Sequence, residues 1–173
     1  MATSLYDLSV ASYLQTLGAL SGVMERAHAH FTANNVDPNE IVETRLFHDM
    51  LPFRFQVQSV THHSLGTIEG IKQGTFLPPG SSPAHDYAGL QKLVADTRDT
   101  LVKVTPAEIN ALEDRDIIFQ MRDFKLPFTA ANFVLSFSLP NVHFHATTAY
   151  DILRMKGVPL GKRDYMGQLR MKR

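Results

Sequence analysis

Apolar residues recur every three or four positions along most of the chain. Leu8, Val10, Tyr13, Leu14, Leu17, Leu20, Met24, Ala27 and Phe31 form one stripe, which predicts an amphipathic helix from about Ser4 to Ala33. Ser4 and Asp7 suit its N-cap and acidic first turn. Asp37-Pro38 predicts a short helix with Asp37 as cap and Pro38 first. Phe53, Val57, Val60, Ser64, Ile68 and Ile71 share a face, predicting a second long helix from Pro52 to a stop at Gly74. Thr75 to His85, with three prolines, reads as a surface loop.

Tyr87, Leu90, Leu93, Val94, Thr97, Leu101 and Val104 predict a third helix, and Thr105-Pro106-Ala107-Glu108 is a capping box opening a short one. From Asp116 to Phe128 the period changes to two, so a β-hairpin turning at Arg122-Asp123 is expected. Thr129 should cap a fourth long helix that is kinked by Pro140 near 136–140 and ends at Gly157. Four long helices, each with one apolar face, must bury those faces against one another. The expected fold is mainly all-α: a four-helix bundle with short extra helices and a small β-hairpin before the last long helix.

The 173 residues suit a single domain over residues 1–173. Lys+Arg and Asp+Glu both number 17, so no basic excess favours nucleic acid as a partner. Lys162, Arg163, Arg170, Lys172 and Arg173 read as a solvated basic tail. The chain has no cysteine, which removes disulfides, thiolate metal sites and cysteine nucleophiles. No apolar run approaches the roughly 20 residues of a membrane span, and the first residues lack the pattern of a secretory signal. A cytoplasmic setting without membrane contact is the expectation.

The remaining chemistry lies in eight histidines. His145 falls on the inward stripe Val142, His145, Ala149, Ile152, with Asn141 and Thr148 a turn to either side. It is either a structural histidine bonded to another helix or a pocket residue. His63 flanks the apolar face of the second helix, whereas His62 should point away toward solvent. His48-Asp49 could be an acid/base pair or part of a turn. His28 and His30 suit the C-terminal end of the first helix, His85 an exposed loop, and His143 a face different from that of His145. Tyr13 and Tyr150 are either core residues or pocket phenols. No Gly-rich phosphate loop, Gly-x-Ser-x-Gly elbow or His-Glu-x-x-His pair occurs.

The segment Leu139-Pro140-Asn141-Val142-His143-Phe144-His145, running on through Thr148-Ala149-Tyr150-Asp151 to Gly157-Val158-Pro159, resembles a family of unknown function found in fungi and bacteria. Asp49-Met50-Leu51-Pro52 and Phe55-Gln56-Val57-Gln58 resemble the same family's second-helix signature. That family looks like a branch of the DinB-like four-helix-bundle superfamily. The resemblance implies an enzyme of the thiol-dependent transferase or isomerase kind. Its metal, Zn or Ni, would be held by one histidine of the second helix and two spaced by four on a later helix. His145 matches the second of that later pair and His63 or His62 the first ligand, but Asn141 stands where the third histidine is expected. Asn is a poor replacement for a neutral imidazole on such an ion.

The reading is therefore an enzyme acting on a small organic molecule in an interhelical pocket, of isomerase, cyclase or transferase type, with a metal-free mechanism open to it because Asn141 replaces one of the three histidine ligands. His145, Asn141 and His63 carry the chemistry, and Tyr13, His48, Asp49 and Tyr150 line the pocket. If a divalent metal binds, His63 and His145 hold it. The alternative is a non-catalytic module that binds a small molecule or forms a homodimer.

Overall fold

The computed structural model describes residues 3–80 and 84–172. Ser4 caps helix α1 (Leu5–Leu8), its Oγ accepting from the Asp7 N–H at 3.2 Å while Asp7 reaches back in a capping box. The expected single helix to Ala33 is interrupted at Ser9, and α2 runs Val10–Ala33. The buried Ser9 hydroxyl donates to the Leu5 carbonyl at 2.6 Å. Such a local bond offers the backbone an alternative to a straight helix. Asp37 caps a 3₁₀ turn, Pro38–Ile41, as its motif requires.

The second long run is α3 (Phe53–Thr61), a π-turn at His62–Gly66, and α4 (Thr67–Gln73). It stops at Gly74, whose φ of +82° is a left-handed cap that glycine adopts without strain. Thr75–Phe76, expected in a loop, is instead strand β1. It pairs parallel with β2 (Asp116–Met121), Phe76 against Phe119. Phe76 is buried, which a periodicity search over two residues cannot detect. Ser81, Ser82 and Pro83 of that expected loop lie outside the described residues. Helix α5 (Tyr87–Leu101) is capped by Asp86, and α6 (Pro106–Asn110) by the Thr105–Glu108 box. The hairpin forms as expected: β2 pairs antiparallel with β3 (Phe124–Thr129), turning through Arg122 at φ 55°.

Thr129 caps α7 (Ala130–Phe133), which passes through a second π-turn, Val134–Ser138, into α8 (Leu139–Met155). The distortion expected from Pro140 lies in the π-turn just before it. The proline itself sits in the first turn of α8, directly after that π-turn. The four long runs pack around Tyr13, Leu17, Met24, Phe53, Val57, Ile68, Leu90, Val94, Phe133, Val142 and Ile152, all buried. A further helix, α9 (Lys162–Met166), lies on α2. Asp164 pairs with Arg26 at 2.5 Å, and the Met166 carbonyl accepts from Gln15 at 3.0 Å. The basic C-terminal stretch is thus partly docked rather than a free tail: Arg170 donates to the Asp7 carbonyl at 3.2 Å. Arg173 lies outside the described residues. No helix among the described residues is long and apolar enough to cross a membrane.

Candidate functional site

The two π-turns are bonded to each other. Each carries one residue more per turn than an α-helix, which displaces a backbone carbonyl from its usual partner, and such turns are frequent at functional positions. The His63 carbonyl accepts from Ser138 Oγ at 2.6 Å and from Thr67 Oγ1 at 2.7 Å. Ser138 Oγ also lies 2.7 Å from the Tyr13 hydroxyl. Burial pushes the Tyr13 phenol far above its ordinary range, so it stays protonated and donates to Ser138. Tyr13, Ser138 and Thr67 are all buried. They hold the His63 backbone from beneath, so Tyr13 is a support under the site rather than a pocket phenol.

The ring of His63 stacks on that of His145, with centroids 5.9 Å apart and planes 15° apart. Phe76 at 5.5 Å and Phe137 at 5.6 Å pack against the His63 ring. His145 bonds through Nδ1 to Gln56 Oε1 at 2.8 Å, as one of its two sequence readings required. The Gln56 amide nitrogen donates to the Leu51 carbonyl at 2.7 Å, so its oxygen is the end that faces the imidazole. An amide oxygen only accepts, hence His145 Nδ1 carries the hydrogen and Nε2 carries the lone pair. Burial holds His145 down to about 4. His63 falls to about 3, through burial first and then repulsion from His62 and His145. Both imidazoles are neutral at pH 7.

Asn141 is half-buried one turn before His145, and its amide nitrogen donates to the Phe137 carbonyl of its own helix at 2.7 Å. Phe55 meets His145 edge-on at 5.8 Å, and Phe144, 59% exposed, meets it at 5.2 Å. On the far side of Phe55, a cleft of about 530 Å³ runs between α3 and α5, bounded by Arg54, Gln58, His62, Glu69 and His85. The expectation that His62 points to solvent fails. The π-turn leaves it half-buried, packed on Phe76 at 4.8 Å and donating from Nε2 to the Leu77 carbonyl at 2.8 Å. His85 is a cleft residue rather than merely exposed.

The remaining expected pocket residues are not brought to the pair. His48 and Asp49 are exposed in the segment before α3, with His48 against Phe47. Tyr150 packs edge-on to Tyr165 and bounds a narrow gap with Leu20 and Ala146. His143 faces the Tyr165 hydroxyl at 3.2 Å. Sequence reasoning missed Ser138, Thr67 and Phe76, which carry no motif, and it named Gln56 in the second-helix signature without giving it a role.

The donor set does not complete a three-ligand metal centre. Among the described residues, no group of three or more His, Cys, Asp or Glu is placed to hold an ion. Ligating histidines generally donate their second ring nitrogen to an acceptor, which fixes the ligand. His145 has such an acceptor in Gln56, whereas His63 Nδ1 is buried without a hydrogen-bond partner.

Residues 5–166 match the family profile described as a domain of unknown function, DUF1993. None of the curated proteins compared matches the chain. Among solved structures, it is similar to a DinB family member from Shewanella denitrificans, at 28% identity and a TM-score of 0.79. The alignment covers 98% of this chain and 95% of that one. The chain belongs to the DUF1993 family of domains of unknown function and carries a DinB-like, mainly helical bundle with a small three-stranded sheet.

Proposed function

We propose that the domain is an enzyme acting, without metal, on a small organic molecule held against the His63–His145 pair. His145 Nε2 takes a proton from the bound molecule and returns it at a neighbouring atom, an isomerisation in which no group is gained or lost. The observation that carries this reading is the Gln56–His145 bond, because it fixes the tautomer and leaves Nε2 as the proton-accepting nitrogen. Cyclase or transferase chemistry can use the same lone pair. Phe55, Phe137 and Phe144 give the site an apolar rim suited to an uncharged body.

The test is proton exchange. Small carbonyl compounds are incubated with the protein in D₂O, and deuterium entering the carbon next to the carbonyl is followed by NMR. Exchange with the native protein and its loss in His145→Ala supports the reading. No exchange, with no compound moving the His145 ring resonances, sinks it. Movement of those resonances without exchange would favour a non-catalytic binding module. The depressed proton affinity of both imidazoles supports that second reading, since such rings accept hydrogen bonds more readily than protons.

A further inference from the structure

A groove of about 630 Å³ lies between α2, α5 and the segment after α9. Arg98 of α5 and Arg170 of the C-terminal segment both line it, with Gln15 and Gln168 beside them. Arg98 is half-buried, and its guanidinium lies beside α2 at Gly18. A methyl group on Gly18 would sit 3.8 Å from it. Its Nε is buried without a hydrogen-bond partner. Among the described residues Arg98 joins no ion pair, and neither does Arg170, which is held by the Asp7 carbonyl at 3.2 Å and Ser12 Oγ at 3.4 Å.

A position in the last turn of α5 suits a cation, because the helix dipole is negative there. That dipole explains the charge but gives the guanidinium no acceptor, and because Nε is closed off, the terminal nitrogens at the groove are the ones a ligand can meet. A half-buried arginine normally meets a carboxylate or a phosphate, whose paired oxygens match its planar fork. Here two guanidinium groups and two side-chain amides line one groove, and among the described residues no acidic side chain pairs with either guanidinium. We infer that this groove is a binding site for a small oxyanion, the carboxylate or phosphate of a small metabolite, with Arg98 as its principal ligand. It is separate from the His63–His145 pair and shares none of its residues.

The test is thermal unfolding in sodium phosphate, sodium pyrophosphate and sodium succinate, with ionic strength matched by sodium chloride. The expected result is a saturable rise of several degrees with at least one anion and none with chloride. Stabilisation by the phosphates alone would assign a phosphorylated ligand, and by succinate alone a carboxylate. Arg98→Gln is expected to lose the effect, and Arg98→Lys to weaken binding roughly tenfold by removing the fork but keeping the charge. Arg170→Gln, at a more exposed position, gives an independent check if the Arg98 variants unfold. No saturable rise with any of the three anions, or an equal rise in the variants, would overturn the inference.

Discussion

Ser138 Oγ donates to the His63 carbonyl at 2.6 Å across 75 residues of chain, joining the π-turn of one helical run to that of another. The bond fixes where His63 sits relative to α8, and so how its ring meets His145. Ser138→Ala removes one of the two donors to that carbonyl and leaves the Tyr13 hydroxyl without its acceptor. The expected loss is about 1–3 kcal/mol of stability, measured by urea unfolding. Tyr13→Phe should cost less, and the double variant should be less than additive, because the two groups share one hydrogen bond.

Gln56 sets the tautomer of His145. In the native protein, ¹⁵N NMR of the imidazole is expected to show hydrogen on Nδ1. Gln56→Glu places a carboxylate against that nitrogen, which favours the charged ring. The His145 titration should then move up from about 4 toward the ordinary histidine range. An unchanged titration midpoint in that variant would contradict the assigned contact.

The two neutral imidazoles make the fold sensitive to acid. In the folded chain they titrate at about 3 and about 4, below the ordinary 6.5 that the unfolded chain retains. The unfolded state therefore binds more protons throughout that interval. Stability contributed by these groups is present above about pH 6.5 and is lost as the pH falls toward 4 and 3. His63→Phe should flatten the pH slope of the unfolding free energy from urea titrations between pH 5 and 4, by up to about 1.4 kcal/mol per pH unit.

Asn141 stands one helical turn before His145 on the same side of α8, where a second histidine would form a ligand pair. Asn141→His is expected to take up zinc or nickel near stoichiometry, while the native protein and His145→Ala carry only traces. Metal analysis of untagged protein makes the comparison. Stoichiometric metal in the native protein, lost in His145→Ala, would reverse the metal-free reading.

Phe76 anchors β1 and packs against both His62 and His63 as well as Phe133. Phe76→Ala should cost about 3–5 kcal/mol. It should also raise the reactivity of His63 toward diethyl pyrocarbonate by uncovering its ring.

The caps Ser4–Asp7 and Thr105–Glu108, the stops at Gly74 and Gly157, and the hairpin turn all stood where the sequence placed them. Their causes are local: a side chain bonding three residues away, a left-handed glycine, a change of apolar period. The same periodicity marked four buried faces and hence a bundle, and the motif around Asn141 and His145 pointed to the DinB-like fold. Tertiary packing alone decided that Phe76 would leave its loop to pair with Phe119, since a two-residue strand exists only through its partner. Packing also decided that π-turns would interrupt both long runs and turn His62 partly inward. The Gln56–His145 bond and the half-buried Arg98 likewise depend on elements far apart in the chain. Helical periodicity says which face a residue occupies, but not which atom of another helix will meet it.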